Sequence, residues 1–105
     1  MQKKHPDYLD FRVDPKNSRI FAPVTDEEDI ELRYNLITDT QPTTMEFTYT
    51  FVPEPIRRQG IASQLVLKGL RLAKKSNYKV KASCPFVEHF LEKHSEFQPM
   101  AVGGR

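Results

Sequence analysis

Hydrophobic and polar positions along this chain change their rhythm after residue 52. Before that point they alternate. Phe11 and Val13 are interleaved with polar neighbours, and DPKNS follows as a turn. Arg19 to Ala22 reads as a short second strand. Ile30, Leu32, Tyr34 and Leu36 alternate with Glu31, Arg33 and Asn35, the period of two that marks a half-buried strand. DTQPTT is a loop. Met45, Phe47, Tyr49 and Phe51 then alternate with Glu46, Thr48 and Thr50, and Thr, Tyr and Phe favour strands.

From Ile61 the period becomes helical. At about 100° per residue, Ile61, Leu72, Leu65, Gly69, Ala62, Ala73 and Val66 share an arc roughly 140° wide, with Leu70 just outside it. Gln64, Lys68, Arg71, Lys74 and Lys75 fall opposite, with Leu67 the one apolar exception. A stripe of this width buries one helix face against a layer of structure. Pro53 and Pro55 precede the helix and cannot donate to a central ladder. Ser76 and Asn77 follow two lysines that suit a negative helix C-terminus. Lys79 to Ala82 is a short strand. A strand–helix–strand unit within one sheet crosses over right-handed and makes a parallel pair. Ser83 or Cys84 then caps a last helix, with Pro85 at its first position. Phe86, Val87, Phe90, Leu91 and His94 share one of its faces. The expected architecture is a single α+β domain over residues 1–105: four antiparallel strands, a helix, a parallel strand and a helix.

Composition narrows the setting. A chain of 105 residues with 38% hydrophobic and 10% aromatic content supports one modest core. No apolar run approaches the ~20 residues that span a membrane. No apolar stretch follows Lys3 and Lys4, so no secretory signal is read. One cysteine excludes an internal disulfide and points to a reducing, cytoplasmic setting. A net charge of +2 is too small to argue for nucleic acid. The basic positions Arg57, Arg58, Lys68, Arg71, Lys74 and Lys75 lack the aromatic neighbours that stack on bases. The acidic run DEED reads as a solvated turn. A hard-cation loop needs more oxygen ligands in a fixed pattern, so no metal is expected. A monomer or weak dimer is expected.

Two stretches carry chemistry. In RRQGIA, the first backbone N–H groups of the helix lack intrahelical partners, and with the helix dipole they form a site for an anion. Gly60 lets a phosphate approach the backbone, while Arg57 and Arg58 add charge-assisted donors. At the start of the last helix, Cys84 lies where the dipole favours a thiolate; the plainer alternative is a small buried hydrophobe. His94 reads as a core histidine and His89 as a solvated one.

RRQGIA after VPEP resembles the acetyl-coenzyme A signature of the GNAT superfamily of N-acetyltransferases, Q/R-x-x-G-x-G/A, with Arg57, Gly60 and Ala62 at its defined positions. SCPFVEHFLEKHSEF resembles the second half of a short single-domain branch, in which a Cys-Pro-aromatic-Val run opens the last helix and a His closes it. The resemblance extends roughly from Ile30 to Phe97. It implies a GNAT-like fold, a mostly antiparallel mixed sheet whose fourth and fifth strands splay apart so that the pantetheine arm enters the gap. Pro53 and Pro55 offer a local reason for that splay. It further implies acetyl-CoA as cosubstrate, with the diphosphate on Arg57, Arg58, Gln59, Gly60, Ile61, Ala62 and Ser63. The pantetheine would lie along Val52 and the strand near Ala82, beside Cys84.

The implied reaction is acetyl transfer to an unidentified amine, either a small molecule or a protein lysine or N-terminus. Many GNAT enzymes use a tyrosine of the last helix as general acid, but no tyrosine follows Tyr78 here. Cys84 is the nearest candidate by position, as acid or as nucleophile, and the sequence leaves both roles open. Glu46 and Tyr49 are the candidate bases. Short-branch relatives often carry His where this chain has Tyr49, and a tyrosine with pKa about 10 is a poor base near pH 7. Arg58 replaces the usual second glycine of the signature. Larger members insert helices between the first two strands to wall the acceptor site. Here only DPKNS separates them, so an open, shallow acceptor site is expected. A non-catalytic acyl-CoA-binding module is the alternative.

Overall fold

A computed structural model describes residues 10–24, 28–54 and 60–102. Its strands are β1 (Arg12–Asp14), β2 (Arg19–Pro23), β3 (Asp29–Ile37), β4 (Thr44–Phe51) and β5 (Lys79–Ala82). Its helices are α1 (Ile61–Lys75) and α2 (Pro85–Lys93). They form one sheet in the order β1-β2-β3-β4-β5. The first four strands are antiparallel neighbours, and β4 and β5 run parallel across the α1 crossover. This is the expected α+β order.

Each turn has a local cause. Between β1 and β2, Asp14 caps a 3-10 turn over Pro15–Asn17, and Ser18 closes it in the left-handed region. DPKNS is thus the whole connection, as its composition predicts. Helix α1 ends at Ser76, whose N–H reaches back to Leu72 O at 3.0 Å. Asn77 takes positive φ, which a short polar side chain tolerates.

Strand alternation sends Ile20, Ala22, Ile30, Leu32, Tyr34, Met45, Phe47 and Val80 into a single core. Onto them α1 lays Ile61, Leu65, Val66, Leu70 and Ala73. The buried stripe is rotated from the expected arc: Leu70 is fully buried, while Leu72 and Ala62 are only half-buried. Gly69 explains how close the layers come. A Cβ there would sit 2.7 Å from Leu32 Cδ2 and 3.0 Å from Phe47 Cε1. Helix α2 adds Val87, Phe90 and Leu91, but Phe86, expected on the same face, is exposed. His94 lies one residue past the end of α2, stacked on Phe90 with 3.8 Å between ring centroids. Its Nδ1 is 2.8 Å from Phe90 O.

After α2 a 3-10 segment, Ser95–Met100, buries Phe97. It delivers Ala101 and Val102 to the outer side of β5, where Val102 N–H donates to Val80 O at 2.8 Å. The opposite face of the sheet carries no helix among the described residues. It is laced by charges instead: Arg19 pairs with Asp14, Asp29 and Glu31, and Arg33 pairs with Glu31. Among the described residues no helix is long and apolar enough to cross a membrane.

Candidate active site

Strand β4 has two halves with different neighbours. Over Thr44 to Phe47 it pairs with β3 on one side and β5 on the other. The β5 ladder closes where Ser83 N–H donates to Phe47 O at 3.0 Å. Beyond that rung, β4 continues to Phe51 along β3 alone, while the other chain turns off at Cys84 into α2. The two strands therefore form a fork.

A β-bulge sits at the point of divergence. Tyr34 pairs with Phe47 and Arg33 with Tyr49, which leaves Thr48 as the extra residue in β4. A bulge bends its strand and raises the local twist, and here it turns β4 away from β5. This corrects the sequence-based explanation. The fork opens at Thr48, ahead of Val52, and Pro53 lies beyond the end of β4. Pro55 lies outside the described residues. The bulge also resets the alternation. Tyr49, expected in step with Met45 and Phe47, is 46% exposed on the opposite face, with the Arg33 guanidinium 5.4 Å from its ring centroid.

Both faces of the fork carry reactive groups. On the helix side, Cys84 is buried and its Sγ lies 3.3 Å from Thr50 Oγ1, across the opening. Cys84 is the N-cap residue of α2 by position but makes no capping hydrogen bond through its side chain, and Pro85 occupies the first turn. On the open face, Ser83 Oγ donates to Glu46 Oε2 at 2.5 Å. That hydrogen bond, helped by one from Asn35 and by the charge of Lys81, holds the Glu46 carboxyl below its ordinary pKa against a smaller opposing effect of burial. Glu46 and Cys84 thus flank the fork on opposite faces, with Ser83, the chain neighbour of Cys84, bonded to Glu46. Tyr49 shares the face of Glu46 but is engaged with Arg33.

The N-terminus of α1 follows from the end of β4. Gly60 is its N-cap, with φ +74°, a left-handed conformation that favours glycine. Gly60 O accepts from Gln64 N at 3.2 Å. Among the described residues no side chain caps the helix start, and no acidic residue lies in its first turn. A Cβ on Gly60 would meet nothing within 4 Å among the described residues, so the space beside Gly60 is open. Ile61 is buried and can offer only its backbone N–H, Ala62 is half-buried, and Ser63 is exposed. Val52 is buried at the end of β4. Arg57, Arg58 and Gln59 lie outside the described residues.

Sequence reasoning singled out Glu46 and Cys84 but passed over Thr50, and took Ser83 only as a candidate cap. Thr50 stands on the strand facing Cys84, a relation visible only once the bulge is known. Asn35 could have been found by aligning the β3–β4 hairpin, where it is the register partner of Glu46.

Comparison with known proteins bears on this arrangement. The family model described as GCN5-related N-acetyl-transferase matches residues 19–100. Among solved structures, a GCN5-like protein from Staphylococcus aureus, proposed to be an N-acetyltransferase, superposes with a TM-score of 0.71 at 22% identity. The match covers 92% of this chain and 91% of that one. Among curated proteins none matches. The structural likeness establishes the fold, and the family match covers most of the sheet, both helices and the fork: the chain belongs to the GCN5-related N-acetyltransferase family.

Proposed function

We propose that the chain is an acetyl-CoA-dependent N-acetyltransferase acting on a primary amine at the β4–β5 fork. The observation that carries this reading is the fork itself. A parallel ladder ends at Phe47 and Ser83, with a carboxylate on one face and a thiol on the other, and the strand that leaves it leads to a helix N-terminus with no side-chain cap among the described residues.

The residues present fit the cosubstrate. The space beside Gly60 and the first-turn N–H groups of α1, for which no side-chain cap is seen among the described residues, suit a diphosphate. Among the described residues the edge of β4 from Tyr49 to Phe51 has no β5 partner, and an amide-bearing arm would lie along it. Acetyl-CoA supplies the acyl group as a thioester. The remaining work falls to the chain: holding thioester and amine in line, and presenting backbone donors to the developing negative charge. Glu46 would receive the amine on the open face and take its proton. A carboxylate is ionised at neutral pH, and the neighbours that lower the Glu46 pKa further hold it in place without strengthening it as a base. Cys84 is the candidate to return a proton to the departing thiolate. The single free cysteine fits a reducing, cytoplasmic setting.

The open face of the sheet favours an acceptor presented from outside, such as a lysine or N-terminus on a protein surface, over an enclosed small amine. Coenzyme A release, followed with lysine peptides, N-terminal peptides and small amines, tests the activity. Release with at least one acceptor is expected. Saturable acetyl-CoA binding with no release for any acceptor would favour a non-catalytic acyl-CoA-binding module.

A further inference from the structure

We propose that Ser83 is a positioning residue for the reaction, its hydroxyl fixing the Glu46 carboxylate at the mouth of the fork. The proposal rests on the acetyltransferase reading above and adds to it a residue that does not touch the amine.

Three observations carry it. First, the Ser83 hydroxyl is not used by the helix that follows: the N-cap of α2 is Cys84, and the Ser83 hydroxyl, one residue earlier, turns to Glu46 Oε2. Second, the backbone of Ser83 is fixed. Its N–H makes the last rung of the β4–β5 ladder, to Phe47 O, so the hydroxyl leaves a rigid point beside the divergence. Third, Glu46 is gripped from both neighbouring strands. Ser83, one residue past β5, hydrogen-bonds to it, and Asn35, its register partner on β3, lies on its other side and helps hold its charge. Lys81, its register partner on β5, is the charged group facing it. A long carboxylate side chain on an open sheet face would otherwise sample several rotamers. The Ser83 hydroxyl, with Asn35 and Lys81 on either side, restricts that freedom. These groups also favour the ionised form; a carboxylate is ionised at neutral pH without them, so what they add to the reaction is position, not basicity. The Ser83 hydrogen bond is the largest of these influences.

The sign of the effect follows. Donors to the ionised carboxylate lower its pKa, so the ionised form persists to lower pH. Removing the Ser83 hydroxyl raises the pKa toward the ordinary value, and the charge is then lost at higher pH. The test combines NMR with kinetics. The side-chain carboxyl of 13C-labelled Glu46 is titrated in the full chain without substrate, in wild type, Ser83→Ala and Ser83→Thr. The midpoint should rise in Ser83→Ala and stay near wild type in Ser83→Thr, which keeps the hydroxyl. Coenzyme A release with an active acceptor peptide should lose roughly tenfold in kcat in Ser83→Ala. KM for acetyl-CoA should be unchanged, and the loss should vanish in a Glu46→Gln background. An unmoved Glu46 midpoint, or an equal kcat loss with Gln at position 46, would overturn the proposal. Failure of the activity reading itself would look different: wild type would release no coenzyme A with any acceptor.

Discussion

The two halves of β4 show how one strand can serve two ends. Its first half is hydrogen-bonded on both sides and places Met45 and Phe47, each 1% exposed or less, against α1. Its second half is paired on one side only, and Tyr49 there is 46% exposed. The alternating sequence is the same in both. What separates them is one extra residue, Thr48, at the point where β5 departs. The closed half packs into the core, and the open half is, among the described residues, paired on one side only. Glu46 and Ser83 sit at the boundary, so the proposed proton acceptor is carried by the closed half at the edge of the open one.

The largest effect that would test this contrast is on stability. Phe47→Ala removes a fully buried ring and should cost about 3–5 kcal/mol, a large part of the 5–15 kcal/mol typical of a domain. Tyr49→Ala, two positions along, loses only an exposed ring and its contact with Arg33, about 1 kcal/mol or less. Urea denaturation of both variants checks the pair. Equal losses would remove the distinction between the halves.

A smaller effect should appear in turnover. Glu46→Gln keeps the shape of the side chain but cannot take a proton. It should lower kcat about 100-fold while leaving acetyl-CoA affinity near wild type. A loss confined to acetyl-CoA binding would instead place Glu46 with the cosubstrate and not with the amine.

Much of the fold was legible because local rules agreed with the tertiary outcome. The bounds of α1 and β5, the strand order and the parallel crossover follow from periodicity, from Pro and Ser punctuation and from the right-handed crossover rule. The bulge was not legible. Met45, Phe47, Tyr49 and Phe51 alternate without a break, and a bulge is recorded in the register with a partner strand, which one strand's sequence does not contain. That omission assigned the splay to Pro53 and Pro55 and placed Tyr49 on the wrong face. The rotation of the α1 stripe toward Leu70 is likewise set by contact, since Gly69 lets the helix settle onto Leu32 and Phe47. In the candidate site, Glu46 and Cys84 were visible as residue types at telling positions. Their hydrogen-bond partners were not, because Ser83 lies 37 positions from Glu46 and Thr50 lies 34 from Cys84.

The account depends most on the helix start that follows the open half of β4. Calorimetric titration of acetyl-CoA into wild type and Gly60→Asn tests it directly. Asn tolerates the left-handed backbone that Gly60 adopts, so the variant should fold while its side chain fills the open space at this position. The account predicts saturable binding to wild type and an affinity at least about tenfold lower in the variant, a difference of about 1.4 kcal/mol. Equal affinity in the two proteins, or no binding to wild type at millimolar acetyl-CoA, would contradict it.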